Sequence, residues 1–295
     1  MPVESVDLSI SGLIYDGLGN PPKVGTIGIR NGLIVSITDA SIISERHIDT
    51  DGLIVAPGFI DVHTHSDLSL FIDGRGESKV FQGVTTEVTG NCSFSPFPIV
   101  ESQRQLQSDF LEGIGDDPVN LEWSDLEGYR SAIHKRGVAI NIAPLVGHGT
   151  LRIASMGLLE SAPTSEELER MGELLNISFK QGAFGMSTGL TYVPSRYAPF
   201  DELIYLCKVI KAADRTYTSH ARDYDIFGKD NFLGPLKEAF ALARETGVRV
   251  QFSHAAINDP ALWGRAQDWV DCFDSPDVKN LDVAFDVYPY NASSS

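Results

Sequence analysis

Five residues of this chain carry side chains that can hold a transition metal, and each closes a stretch rich in β-formers: His63, His65, Cys92, His220 and His254. The first two sit in VAPGFIDVHTHSD, from Val55 to Asp67. A short apolar run is interrupted by Pro57-Gly58, restarts at Phe59 and ends in His63-Thr64-His65, with the acid Asp61 just before. In a strand, residues two apart share a face, so both imidazoles are expected on one side of the strand's end. Neutral imidazole and thiolate suit Zn²⁺ well. Taken singly, each residue has a plainer reading: a lone His-x-His is commonly two ordinary histidines at a sheet edge, and a buried cysteine commonly an inert small hydrophobe.

The elements that must position these residues follow from periodicity. From Gly52 onward, β-rich runs alternate with helical ones, the pattern of a parallel sheet with crossover helices. The runs are the His-x-His stretch, VTTEVTGNCSFS, VAINIAPLVGHGTLR, AFGMSTGLTY, TYTSHAR, VRVQFSHAA and VAFDVYPYNASSS, seven strands where a closed TIM barrel has eight. A capping box at Ser124 to Glu127 predicts a helix stopped by Gly137, and another at Thr164 to Glu167 predicts a long amphipathic helix reaching Gly182. Pro235 and Gly247 bracket a third helix. Residues 1–51 read as short strands, with turns at Asp16-Gly17 and Asn31-Gly32, too few for a sheet domain of their own. The expected organisation is therefore an α/β chain: a partial β-sandwich segment over 1–51 and a TIM-like (β/α) barrel over 52–295.

A TIM barrel collects catalytic groups at the C-terminal ends of its strands. His63 and His65, Cys92, His220 and His254 all fall at such ends, which raises the metal reading above that of any one residue alone. Cys207 in LIYLCKVIK and Cys272 in WVDCF lie in helical runs and are expected to be packing residues. His47 and His134 have polar neighbours and are expected in solvent, while His148, at a strand exit in VGHGTLR, fits either loop structure or a substrate contact.

Bulk properties narrow the partners. A net charge of −17 over 295 residues lacks the basic footprint that nucleic acid or an anionic membrane demands. Three widely spaced cysteines do not form a disulfide framework. The start MPVESVDLSI has no basic region followed by an apolar core, so the expected setting is the cytoplasm and the expected partner a small molecule.

PGFIDVHTHSD resembles the first barrel strand of the amidohydrolase superfamily, metal-dependent hydrolases on a distorted TIM barrel. Within it, the closer resemblance is to D-aminoacylases and other N-acyl-D-amino-acid deacylases. In that branch a cysteine on the second strand takes the bridging role of the carboxylated lysine found elsewhere, and Cys92 in TGNC matches it. GMSTGLTYVP from Gly185 to Pro194, the His-x-Arg of His220 and Arg222, and D-x-YPY from Asp286 to Tyr290 match further segments. The resemblance implies one or two zinc ions on His63, His65, Cys92, His220 and His254, and hydrolysis of N-acyl-D-amino acids to a carboxylate and a free D-amino acid. Tyr192, Arg222 and Tyr288 become candidates for gripping substrate, against a purely structural reading of two packed tyrosines and an arginine ion pair.

Many members carry SHxK at the sixth strand, where this chain has Ser253-His254-Ala255-Ala256, so the contact to a substrate carboxylate differs. The family pattern also needs an aspartate at the end of an eighth strand, as metal ligand and proton carrier. That aspartate is expected beyond Ser295; Asp67 and Asp223 are the nearest alternatives, whereas Asp282 and Asp286 belong to the seventh strand. Residues 1–295 alone are accordingly expected to be an incomplete copy of a deacylase, poorly soluble and weakly active. The competing readings are a cyclic-amide hydrolase of the hydantoinase or dihydroorotase kind, and a metal-binding remnant without catalysis.

Overall fold

The computed structural model describes residues 5–114, 119–222, 231–290 and 292. The chain divides into two compact units, residues 1–59 and 60–295.

The first unit is built on β1 (Val6–Ile14), which pairs antiparallel with β2 (Lys23–Arg30) and parallel with β4 (Ser44–Val55); β3 (Leu33–Thr38) closes the four-stranded order β3-β2-β1-β4. The β2–β3 hairpin turns on Asn31 and Gly32, with φ of +52° and +74°. Two consecutive positive φ angles give the type I′ geometry whose twist matches the flanking strands, and Asn-Gly is the pair that tolerates it best. Ile54 and Val55 belong to this sheet, opposite Leu13 and Ile14, so the apolar run before Pro57 completes the first unit.

After Pro57-Gly58 the chain enters a second sheet of seven strands in sequential order: β5 (Phe59–Asp61), β6 (Val84–Thr89), β7 (Asn141–Gly147), β8 (Gly185–Gly189), β9 (Thr216–His220), β10 (Arg249–Phe252) and β11 (Val283–Phe285). From β6 to β11 each neighbouring pair is parallel. Sequential parallel strands with helical crossovers are the (β/α) barrel arrangement. The helices are α1 (Ser69–Ile72) and α2 (Glu77–Val80) after β5, then α3 (Arg104–Leu111) and α4 (Leu126–Arg136) after β6. They continue with α5 (His148–Met156) and α6 (Ser165–Lys180) after β7, α7 (Phe200–Ala212) after β8, α8 (Gly234–Thr246) after β9 and α9 (Ala266–Phe273) after β10.

Helix ends follow local chemistry. Thr164 and Glu167 form the reciprocal capping box of α6, whose C-cap is Gln181. At α4 the cap is one residue later than the capping-box pattern suggests: the Asp125 carboxylate accepts from Gly128 N–H, and Ser124 only precedes it. Gly247 ends α8 in the left-handed conformation, and Pro235 sits in its first turn. α3 lies in a region where no helix was expected, because its apolar positions are few. The core joins one face of α4 through α8 to the sheet, with Val146, Leu151, Met171, Met186, Leu206, Tyr217, Leu236 and Phe252 fully buried. Among the described residues no helix is long and apolar enough to cross a membrane.

Candidate metal centre

The exits of β5, β6, β9 and β10 deliver the imidazoles and the thiol to one cavity of about 670 Å³, lined by His63, His65, Cys92, His220 and His254 together with Asp61, Lys79, Tyr192, Asp286 and Tyr288. β5 ends at Asp61, so the two first histidines lie just past the strand rather than within it; their rings meet edge to face, centroids 5.5 Å apart. Asp61 accepts from His63 N–H at 3.2 Å and binds Lys79 Nζ at 2.5 Å, which pins the turn that aims both histidines.

Cys92 is 4 % exposed, and its thiol meets two imidazoles. The Sγ atom is 3.3 Å from His63 Nε2 and 3.6 Å from His254 Nε2, and all three ligand atoms lie within 4.8 Å of one another. Two ligands of one tetrahedral zinc, at about 2.3 Å for sulfur and 2.0–2.1 Å for nitrogen, stand roughly 3.5 Å apart. The two sulfur–nitrogen separations match the edges of such a tetrahedron, so this donor set fits the ion. His220 and His65 complete the wall: the His220 ring is 4.6 Å from that of His254, and its Nε2 meets Thr191 Oγ1 at 2.8 Å.

Electrostatics favour the ligand form. Burial, reinforced by the charges of the neighbouring histidines, lowers His63 to about 3, His65 to about 4 and His254 to about 2. Neutral imidazole is the form that binds a metal. Asp286 supplies an orienting group: its Oδ1 accepts from His254 N–H at 2.6 Å and faces His63 Nδ1 at 3.6 Å, while Gln251 donates to Oδ2. A carboxylate beside Nδ1 favours the Nδ1–H tautomer and leaves Nε2 for the ion. Burial raises the Asp286 carboxyl, partly offset by Gln251 and the His254 N–H. The sequence offered little sign of this role, because Asp286 reads as the opening residue of the D-x-YPY run.

The remaining candidates separate. Tyr192 packs between Phe94 and His220, centroids 5.5 and 4.8 Å away, and Tyr288 lines the cavity. Arg222 does not: its Nε lies 3.2 Å from both Glu238 carboxylate oxygens, and its two terminal nitrogens donate to the carbonyls of Arg196 and Ala198 at 2.9 Å. This is the ion-pair reading of the residue, and it ties the chain after β9 to the loop after β8. His148 is fully buried and touches Ser195 and Glu202 instead of the cavity. Asp67 is buried, and burial together with the charge of Glu87 raises it to about 7 against backbone hydrogen bonds that lower it. Asp223 lies outside the described residues. Cys207 is buried in α7, Cys272 is half-buried in α9, and His47 and His134 are exposed.

The cysteine loop is seated on glycines. Cys92 and Ser93 have φ of +51° and +80°, a left-handed pair without glycine. A Cβ at Gly189 would collide with the Cys92 carbonyl oxygen, and one at Gly147 with the Ser93 carbonyl oxygen. Gly147→Ala and Gly189→Ala are therefore expected to push the loop outward, costing about 1–3 kcal/mol of stability by overpacking and weakening metal binding. Isothermal titration of zinc beside thermal melts of both variants checks this; wild-type zinc affinity in both would show that the close approach is dispensable.

A profile of the amidohydrolase family matches residues 46–277. N-acyl-D-glutamate deacylase of Alcaligenes xylosoxydans xylosoxydans is 37 % identical over 295 residues, 99 % of this chain and 58 % of its own length. D-aminoacylase of the same organism is 34 % identical over 98 % of this chain and 58 % of its own length. The crystal structure of N-acyl-D-glutamate deacylase from Bordetella bronchiseptica, complexed with zinc and a phosphonate inhibitor, superimposes with a TM-score of 0.87 at 35 % identity, covering 97 % of this chain and 59 % of that one. This chain thus spans somewhat over half the length of the relatives it matches. By the match along most of its length, and with the TIM-like fold shared, the chain belongs to the amidohydrolase family.

Proposed function

We propose that this chain carries the metal centre of a zinc-dependent deacylase that hydrolyses the amide bond of N-acyl-D-amino acids. The observation that carries the reading is the Cys92 thiol at 3.3 and 3.6 Å from His63 and His254 Nε2, the edge lengths of a zinc tetrahedron. His65 and His220 complete a set of five ligands for one or two ions. The relatives named as N-acyl-D-glutamate deacylase, D-aminoacylase and N-acyl-D-aspartate deacylase point to the same substrate class.

Bound zinc supplies Lewis-acid polarisation of the acyl carbonyl and a nucleophilic water near neutral pH. In the net reaction the water oxygen adds to the acyl carbon, the C–N bond breaks, and the amine nitrogen gains a proton. Asp286 accepts from the His254 N–H and faces His63 Nδ1 at 3.6 Å, and Asp61 fixes the turn behind His63. Tyr192 and Tyr288 flank the space in which the acyl amino acid sits, their hydroxyls suited to hydrogen-bonding a carboxylate or carbonyl. Arg222 acts by tying down the loop that carries Tyr192. The unit over 60–295 supplies the centre, and the unit over 1–59 forms part of an accessory β-sandwich.

The test is turnover of N-acyl-D-glutamate, N-acyl-D-aspartate and a neutral N-acyl-D-amino acid, each beside its L-enantiomer, with zinc added to chelator-treated protein. Zinc-dependent release of the D-amino acid is expected, with the balance of acidic and neutral substrates reporting what Ala256 does at the position where the family resemblance implies lysine. Preference for hydantoins would transfer the chain to the cyclic-amide hydrolases. Stoichiometric zinc without any turnover would leave a binding protein.

A further inference from the structure

The thiol lies on a loop that bends through two left-handed residues, and a buried chain of polar groups grips that loop from behind. Ser93 Oγ meets Ser195 Oγ at 2.8 Å and accepts from Gly189 N–H. Ser195 Oγ meets His148 Nδ1 at 3.0 Å, His148 Nε2 meets Glu202 Oε1 at 2.7 Å, and Glu202 Oε2 binds Arg152 Nη1. Ser93, His148, Arg152 and Ser195 have no exposed surface, and Glu202 has 1 %. Ser195–His148–Glu202 has the composition of a nucleophilic triad, but substrate cannot reach a serine buried this completely.

The donor count orients the chain. With His148 protonated at Nε2, that N–H donates to Glu202, Ser195 donates to Nδ1, and Ser93 donates to Ser195 while accepting from Gly189 N–H. Each link from Ser93 to Glu202 then pairs one donor with one acceptor, and the Arg152 guanidinium faces the Glu202 carboxylate from the other side. Burial alone would raise the Glu202 carboxyl, yet the hydrogen bond from His148 and the charge and hydrogen bond of Arg152 hold it below its usual range. Left-handed backbone at two consecutive non-glycine residues is costly and persists only when the surroundings impose it. Here the imposing groups are Ser187 Oγ on Ser93 N–H, Thr150 N–H on the Ser93 carbonyl, and the serine pair.

We propose that Glu202, His148 and Ser195 are positioning residues: through Ser93 they lock the loop in the conformation that turns Cys92 toward His63 and His254. This rests on the metal centre proposed above for its purpose, though not for its geometry.

The experiment labels the three cysteines of the metal-free full chain with a thiol reagent, read residue by residue by mass spectrometry, in the wild type, Ser195→Ala and His148→Gln. Cutting the relay is expected to speed Cys92 labelling at least about tenfold while Cys207, buried in α7, keeps its wild-type rate. Cobalt affinity should fall about 10–100-fold in the same variants, the usual effect of losing an outer-shell partner, with weakening of the thiolate-to-cobalt absorption. Ser195→Thr, which keeps the hydroxyl, should restore both. An unchanged Cys92 rate in both variants would overturn the relay, as would Cys92 and Cys207 accelerating together, which reports general loosening. Should a variant fail to fold, the Ser195→Thr comparison decides: labelling at Cys92 faster than wild type despite the retained hydroxyl contradicts the proposal. If wild-type protein gave no thiolate-to-cobalt band while the labelling contrast persisted, the metal reading would fall and the relay would stand.

Discussion

Replacing Cys92 by alanine is expected to abolish tight zinc binding, with Cys207→Ala and Cys272→Ala leaving it intact. Outer-shell partners of a metal ligand are commonly worth 10–100-fold in affinity, so removing the ligand itself should cost more than about 100-fold. Among the described residues the thiol is the one sulfur donor lining the cavity, and it meets the two imidazoles with which it would share the ion. The three imidazoles pushed to about 3, 4 and 2 need shed no proton near neutrality, so the anionic charge that offsets the ion falls to the thiolate. Cys207 makes the natural control, since burial in α7 raises its thiol well above the usual value and it does not line the cavity. Metal analysis after dialysis decides the matter, and equal zinc in all three variants would make Cys92 a packing residue.

Arg152→Ala should be among the most damaging single changes away from the cavity. The guanidinium has no exposed surface, binds Glu202 Oε2 through Nη1 and donates to the Ser161 carbonyl at 2.8 Å through Nη2. Removing one partner of a buried pair leaves an uncompensated charge, at a cost of about 3–5 kcal/mol. That is a large share of the roughly 5–15 kcal/mol by which domains are stable. The double variant Arg152→Met with Glu202→Gln should recover part of the loss, since no charge then remains to be matched. Urea denaturation reads both effects through the midpoint. A single variant within about 1 kcal/mol of wild type would mean that water reaches Glu202 once the guanidinium is gone.

The positions of His63, His65, Cys92, His220 and His254 were legible because barrel strands announce themselves by β-rich runs, and their C-terminal ends gather on one rim. The order of the seven strands followed from the same alternation, since parallel strands joined by helices leave few topologies. Helix limits at Gly137 and Gly247 and the capping box at Thr164 were equally local, each depending on a residue and its neighbours within one turn.

Residue types and strand pattern were enough to say which side chains reach the rim and which chemistry they allow. Which of them meet was a matter of packing. The closure of Cys92 on His63 and His254 joins residues 29 and 162 positions away, through a loop whose left-handed turn depends on Gly147 and Gly189 from two other strands. Arg222 stood open between a substrate contact and a structural ion pair; its partners Glu238, Arg196 and Ala198 lie on other elements, so no local rule reveals them. His148 remained open between two roles until Ser195 and Glu202 were found on either side of it. Asp286 was set aside as strand, yet it lies at the cavity because β11 pairs with β10 and brings its carboxylate to the His254 backbone. Residue type and periodicity are carried along the chain; distance between side chains is created by packing, and metal chemistry depends on distance.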